Sequence, residues 1–318
     1  MSILKTRPYL GESDRKAIAE FVNACEPIGQ IDKDTSICEL QQQIDSPWVD
    51  KSRDLHIWEG EDGQLKGFGH LYIPDTKNVL DGYLWFCVES KEYNLESEII
   101  NWSEKRLREA GQERNLPAKL RFSTRNDKRD RISLLEHHRF KIDRQFLTMS
   151  RSLKDIIPSS QLPPGFSLYE ITSNSNLSAW VDMFNQSFID HWNHHELTVK
   201  TFKHWLKDTN YNPALNIVAL SPDRQYAAFC YAQINEQENK LSGRKEGWIQ
   251  WLGTSRNFRK LGLGKAILLE GLHRLQLAGM ETVKLAVDAD SLTGANRLYK
   301  SVGFRPVENW LEYVKDVA

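Results

Sequence analysis

The stretch Glu246-Gly247-Trp248-Ile249-Gln250-Trp251-Leu252 reads as a strand, and Lys265-Ala266-Ile267-Leu268-Leu269-Glu270 reads as a helix. Between them lies Arg259-Lys260-Leu261-Gly262-Leu263-Gly264. A strand that turns through glycines into a helix start belongs to an α/β layer, and it is a way to hold phosphate. The first N–H groups of a helix have no partner inside it, and the helix dipole adds partial positive charge at the same end. Gly262 and Gly264 carry no Cβ to keep a bulky anion off the backbone.

Other phosphate-binding patterns fail here. The dinucleotide fingerprint needs a third glycine where Ile267 stands. The nucleotide P-loop needs Ser or Thr after Gly264-Lys265, where Ala266 stands, and an earlier glycine where Phe258 or Arg259 stands. The pattern that remains is R-x-x-G-x-G. An apolar strand follows, Val283-Lys284-Leu285-Ala286-Val287, and then the run Asp290-Ser291-Leu292-Thr293-Gly294-Ala295-Asn296-Arg297-Leu298-Tyr299-Lys300-Ser301-Val302-Gly303-Phe304. Together these segments resemble the pyrophosphate motif of the GNAT acyltransferases, which use acetyl-coenzyme A, and their later helix with a Tyr near its end before a Gly-Phe turn. The resemblance covers residues 166–317. It departs at Lys260, where the family often has Gly, and at Ser291, where it often has Asn.

The chain has 318 residues, enough for about two domains. Lys and Arg total 42 against 43 for Asp and Glu, so charge favours neither nucleic acid nor an anionic membrane as a partner. No apolar run approaches the roughly 20 residues that span a bilayer, and Met1-Ser2-Ile3-Leu4-Lys5-Thr6-Arg7 has no secretory apolar core. Cys25, Cys38, Cys87 and Cys230 show no metal-ligand spacing and read as free thiols of a cytoplasmic protein. The cluster His191-Trp192-Asn193-His194-His195 reads as a solvated helix end or a pocket wall, and no metal is expected.

Pro, Ser and Gly gather in Ile156-Ile157-Pro158-Ser159-Ser160-Gln161-Leu162-Pro163-Pro164-Gly165, as in a linker. Matching Phe140 with Phe304 sets an offset of 164 residues. That offset lays Tyr83-Leu84-Trp85-Phe86-Cys87-Val88 over the strand before the glycines, the helix-like segment 96–109 over the helix after them, and Leu120-Arg121-Phe122-Ser123 over residues 284–287. The expected fold is α/β (α+β): two tandem GNAT-like domains, each a mixed, mostly antiparallel sheet flanked by helices. Residues 1–155 form a first, degenerate domain, 156–165 the linker and 166–318 the catalytic domain. The tandem arrangement is similar to that of the mycothiol synthases. In the first half Gly262 falls on Glu98, Gly264 on Ile100, Arg259 on Leu95 and Tyr299 on Leu135. A carboxylate repels phosphate and a branched side chain blocks it, so the first half is expected to lack an acyltransferase site.

The resemblance implies acetyl-CoA as co-substrate. Arg259, Lys260, Leu261, Gly262, Leu263, Gly264 and Lys265 would anchor the pyrophosphate, with the side chains of Arg259, Lys260 and Lys265 adding charge. A splayed strand at Trp251, Leu252, Gly253 and Thr254 would bind the pantetheine arm, and the Leu252 N–H would polarise the thioester carbonyl. One such donor contributes roughly 3 kcal/mol. Tyr299 is the implied general acid, since a phenol with a pKa near 10 can return a proton to the departing thiolate. Asn296, three residues earlier on the same helix face, is an implied cofactor contact. The base is less sharply marked. Many family members have Glu where Trp248 stands; Glu246, which faces the same side of the strand and could act through a water, ranks first as the catalytic base, Asp190 and His191 are rivals, and a water chain is the remaining route.

The acceptor side would include Phe184, Phe188, Asp190, His191, Trp192, Trp205 and Tyr211, aromatic walls and acids suited to a cationic amine. The expected activity is N-acetylation of a primary amine on a small molecule by a monomer or homodimer. A protein amine as acceptor, or an acyl-CoA-binding regulatory protein without turnover, are the alternatives.

Overall fold

The computed structural model describes residues 4–25, 42–89, 94–291 and 294–317, without the side chains at positions 23 and 25. Cys38, the Cys25 side chain, Leu292 and Thr293 thus lie outside the described residues. Cys87 and Cys230 are buried and form no disulfide among the described residues. No described helix is long and apolar enough to cross a membrane. The chain forms two compact units, residues 1–144 with 310–318, and residues 145–309.

In the first unit, strands β1 (Lys5–Pro8), β2 (Leu55–Glu59), β3 (Leu65–Tyr72) and β4 (Leu80–Val88) pair antiparallel in that order. β4 then pairs parallel with β5 (Ala118–Arg125). Helices α1 (Glu12–Cys25), α2 (Leu95–Arg114) and α3 (Arg129–His137) complete it. Strand alternation sorts the residues by face. Leu71, Leu84, Phe86, Leu120 and Phe122 pack with Ile99, Ile100, Leu107 and Leu135, while Ile57, Phe68 and Cys87 pack with Ile18 and Val22 of α1. The last strand of this sheet is residues 310–317 of β12 (Arg305–Val317), antiparallel to β5.

The second unit begins with residues 146–152 of β6 (Lys141–Ser152), antiparallel to β11 (Thr282–Asp288). Next come β10 (Glu246–Thr254), parallel to β11, and then β9 (Tyr226–Gln233), β8 (Asn216–Leu220) and β7 (Ser167–Glu170), each antiparallel to its neighbour. Helix α7 (Leu263–Leu277) buries Leu263, Ile267, Leu268, Leu272 and Leu275 on Cys230, Ile249, Val283 and Leu285. α8 (Ala295–Ser301) adds Tyr299 to the same core. On the other face, α4 (Leu177–Phe188) inserts Trp180, Val181 and Phe184 at helical spacing, beside α5 (Val199–Trp205). Asn176 starts α4 by accepting from the Ala179 N–H at 3.1 Å. α6 (Glu236–Ser242) precedes β10.

The compact units therefore differ from the sequence boundaries at 155 and 166 by one strand each. Residues 146–152 pair within the second unit and 310–317 within the first. Buried Arg151 fixes β6 in place, donating to Val302 O at 2.6 Å and Ile156 O at 2.9 Å. The proline-rich linker packs too: Ile157 and Leu162 join the α7 core, and Ser160 Oγ donates to Ala266 O at 2.9 Å.

Candidate active site

β10 and β11 pair only from Glu246–Thr282 to Ile249–Leu285. Beyond that point β10 stays with β9 and β11 stays with β6, so the two strands part in a wedge. The register of β10 on β9 slips between Ile249 and Trp251, a bulge that bends the strand away. Ser255 N–H donates to Ala227 O at 2.9 Å. Counting back by twos along the antiparallel pair, Gly253 also faces β9, while the backbone groups of Leu252 and Thr254 face the wedge. The wedge is the splayed strand expected at Trp251, Leu252, Gly253 and Thr254. The Leu252 side chain packs toward the α7 core. At Gly253 a Cβ would lie 2.4 Å from the Phe229 ring and 2.8 Å from Ser187 Cβ, so this glycine lets α4 rest on the strand.

The loop that follows makes a 3₁₀ turn, Arg256–Phe258, and enters the left-handed region at Lys260 (φ 66°) and Gly262 (φ 83°). Lys260 thus adopts the backbone that the glycine often found here in the resembled family would adopt freely. Among the described residues no side chain caps α7, whose first internal bond is Ala266 N–H to Gly262 O at 3.1 Å. The N–H groups of Leu263, Gly264 and Lys265 precede the ladder and point out along the axis. A Cβ on Gly262 would meet nothing within 4 Å, leaving its surface open, and one on Gly264 would come 3.3 Å from Thr254 Oγ1. Leu261 and Lys265 are exposed. Arg259 does not point outward with them. Its Nη1 donates to Asp190 Oδ2 at 2.7 Å and its Nη2 to Ser187 O at 3.0 Å. Arg256 takes the other carboxylate oxygen at 2.7 Å. The Arg259 hydrogen bond, with the charge of both arginines, holds the Asp190 carboxyl below the usual range.

Tyr299 is buried on α8, edge-on to Phe304 at 5.9 Å. Burial, and then the nearby Cys230 thiol, push the phenol above its ordinary value, and burial pushes Cys230 up to about 12. Cys230 is the β9 partner of Leu252, so the phenol stands by the strand pair that borders the wedge. Asn296 Nδ2 donates to Asp288 O and Ala289 O, both at 2.9 Å, and ties α8 to the end of β11; its Oδ1 is buried without a partner among the described residues.

Glu246 is not brought to this cluster. Its Oε1 accepts from Trp248 Nε1 at 3.1 Å and its Oε2 lies 3.3 Å from Lys284 Nζ, which sits 5.7 Å from the Trp248 ring centre. Leu252 lies six positions along the strand from Glu246, roughly 20 Å at the rise of an extended chain. Of the rival bases, Asp190 is held by two guanidinium groups, and His191 Nδ1 lies 2.8 Å from Trp192 O. The sequence held no sign of Lys284 as the partner of Glu246, nor of Cys230 in the same core as Tyr299, because the first pair meets across adjacent strands and the second lies between a strand and a helix.

Beside the wedge, on the α4 face, Trp251 stacks on Trp205 at 5.9 Å and 4° and meets Phe184 and Phe188 edge-on at 5.3 and 5.6 Å. At 37% exposure Trp251 keeps part of its ring open to solvent. Below it, Asp208 accepts from Gln233 at 2.9 Å, and Gln250 donates to Gln233 at 3.1 Å. Tyr211 serves the frame instead, donating to Ile171 O at 2.6 Å.

A wedge between parallel strands, a bulged first strand and a glycine turn at the following helix are now assembled from one segment. Residues 177–304 match the family model described as the acetyltransferase (GNAT) family. This segment is a GNAT acetyltransferase domain. Mycothiol acetyltransferase of Thermobispora bispora is 29% identical over 156 residues, 49% of this chain and 52% of that protein. The matched stretch therefore spans about half of that relative's length. A GCN5-related N-acetyltransferase from Sphaerobacter thermophilus shares the fold over 99% of this chain and 96% of its own, with TM-score 0.73 and 20% identity. A tandem GNAT protein from the clavulanic acid biosynthesis pathway shares it over 99% of both chains, with TM-score 0.70 and 13% identity.

The first unit repeats the GNAT strand pattern. β4 and β5 pair in parallel only as far as Tyr83 and Arg121, although β4 runs on to Val88. There the lips are joined. Arg131 of α3 lies 4.2 Å from the Phe86 ring centre and 5.4 Å from that of Phe122, and its Nη2 pairs with Glu96 at 2.9 Å. At the 164-residue offset, α2 also starts a full turn earlier than α7, at Leu95 rather than at the counterpart of Leu263. Helix thus occupies the place of the glycine turn. Ile100 turns into the core rather than toward a ligand, and Leu135, in the place of Tyr299, is buried.

Proposed function

We propose that this chain is an acetyl-CoA-dependent N-acetyltransferase acting on a primary amine of a small molecule, with its working site in the second unit. The carrying observation is the β10–β11 wedge, into which Leu252 and Thr254 turn their backbone groups, next to the uncapped start of α7. Pyrophosphate would lie on the N–H groups of residues 262–265, where backbone donors and dipole favour an anion. The pantetheine arm would pair with the free edge of β10, as an added strand does. The Leu252 N–H would polarise the thioester carbonyl, a preorganised donor that gains strength as charge develops on the oxygen.

Tyr299 is our candidate acid. Its raised pKa keeps the phenol protonated, so a proton is in place where the departing thiolate forms. Glu246 is better suited to fixing Lys284 and Trp248 than to taking a proton from the amine. With no carboxylate assigned to that task, the amine loses its proton to water, and the rate follows the acceptor's own ionisation. The open ring of Trp251 offers the acceptor a flat apolar surface. The name of the Thermobispora relative, mycothiol acetyltransferase, supports a small-molecule acceptor. The test is release of CoA thiol across a panel of small amines and peptides. Release with small amines and not with peptides is expected. Tight acetyl-CoA binding with no release from any acceptor would contradict an enzyme.

A further inference from the structure

Asp190 follows directly on α4, whose C-cap is Ile189. Its two oxygens take Arg256 and Arg259 at 2.7 Å each, and Arg259 also reaches Ser187 O at 3.0 Å. One carboxylate therefore grips the first residue of the 3₁₀ turn Arg256–Phe258 and the residue that follows the turn. The next residue is Lys260, whose left-handed backbone (φ 66°) is unfavourable for a side chain with a Cβ. Such a conformation persists where the surroundings over-determine it. The grip falls immediately before the point of strain. The Arg259 guanidinium is spent on this contact and is turned toward α4, which leaves the backbone of residues 262–265 as the anion-binding surface.

We infer that Asp190 is a positioning residue: it holds the loop from Arg256 to Gly262 in the shape that presents the α7 N-terminus to the pyrophosphate of acyl-CoA. This rests on the acyl-CoA site proposed above. The same end of α4 carries Phe188, which lies edge-on to Trp251 at 5.6 Å, so the cofactor loop and the acceptor-side aromatic wall share one anchor. The expectation in the sequence that Arg259 adds its charge to the pyrophosphate is replaced by a different role, in which that charge is consumed internally to fix the loop.

The experiment is calorimetric titration of the full chain with CoA, together with steady-state kinetics on the best amine of the panel. Asp190→Asn should weaken CoA binding and raise KM for acetyl-CoA roughly three- to tenfold, the range for losing charge-assisted hydrogen bonds at a half-exposed site. kcat should stay within about twofold, since the loss is one of binding shared by ground and transition states. Asp190→Glu should restore most of the affinity. Arg256→Gln, at an exposed side chain, removes one arm only; it should shift affinity in the same direction by less, and it keeps the question open to test if Asp190→Asn does not fold. An Asp190→Asn protein with a normal melt that binds CoA as tightly as wild type, or more tightly, overturns the inference, as does an Arg256→Gln protein with tightened binding. A wild type that binds no CoA overturns the acyl-CoA site itself, and the positioning role with it.

Discussion

Glu246 Oε2 lies 3.3 Å from Lys284 Nζ, and both side chains are buried. The two residues come from adjacent parallel strands, and Trp248, the register partner of Lys284, completes the group by donating to Glu246 Oε1 at 3.1 Å. An ion pair in such a place stabilises mainly in the sense that removing one partner leaves the other charge buried and unpaired.

Glu246→Gln separates structure from chemistry. It should lower stability by roughly 3 kcal/mol, the cost of stranding a buried charge, seen as a fall in the denaturant midpoint. The pH–rate profile of the folded variant should keep its shape. A loss of rate that grows below the pKa of the acceptor amine would return Glu246 to the role of base.

Tyr299→Phe should cut kcat about 100-fold, within the usual range for a general acid, and leave KM for acetyl-CoA nearly unchanged. Burial raises the phenol above its ordinary value of about 10. A raised pKa keeps the proton on, so Tyr299 should stay in its acid form as pH rises through the neutral range. The wild-type rate should show no fall between pH 7 and about 9.5 that Tyr299→Phe removes. A variant with wild-type kcat would leave the phenol a packing residue.

The glycines of the site divide by cause. Gly253→Ala would press a methyl on Phe229 and Ser187 and should destabilise by about 2 kcal/mol, as overpacking does. Gly262→Ala has room, so its cost in stability is only the left-handed backbone, about 1 kcal/mol. Its larger effect should fall on KM for acetyl-CoA, near tenfold, because the methyl stands where an anion approaches. Thermal melts and KM values on both variants check this; equal effects on KM would contradict the division.

The strand, glycine turn and helix around residues 246–277 were legible because local signals mark each of them. Glycine permits the turn, and the apolar run that follows extends the helix. The offset of 164 residues was legible for the same reason, since β4, α2 and β5 carry local patterns like those of β10, α7 and β11. What stayed hidden was long-range. Strands 146–152 and 310–317 look alike in sequence, and only pairing assigns them to units. Asp190 and Arg259 are 69 positions apart, and the charge of Arg259 read as available to a phosphate until its partner appeared. Arg131 gave no sign that it lies against Phe86 and Phe122, although the missing glycines at Glu98 and Ile100 already pointed to a first unit without a phosphate loop.

Hydrogen–deuterium exchange of the full chain with and without acetyl-CoA tests the central claim most directly, because it reads backbone N–H groups and both units at once. Protection is predicted in peptides covering residues 250–266, where Leu252, Thr254 and the start of α7 offer unpaired donors, with no change at residues 94–100. Protection at the start of α2, or none across 250–266 at saturating acetyl-CoA, would contradict a single acyl-CoA site in the second unit.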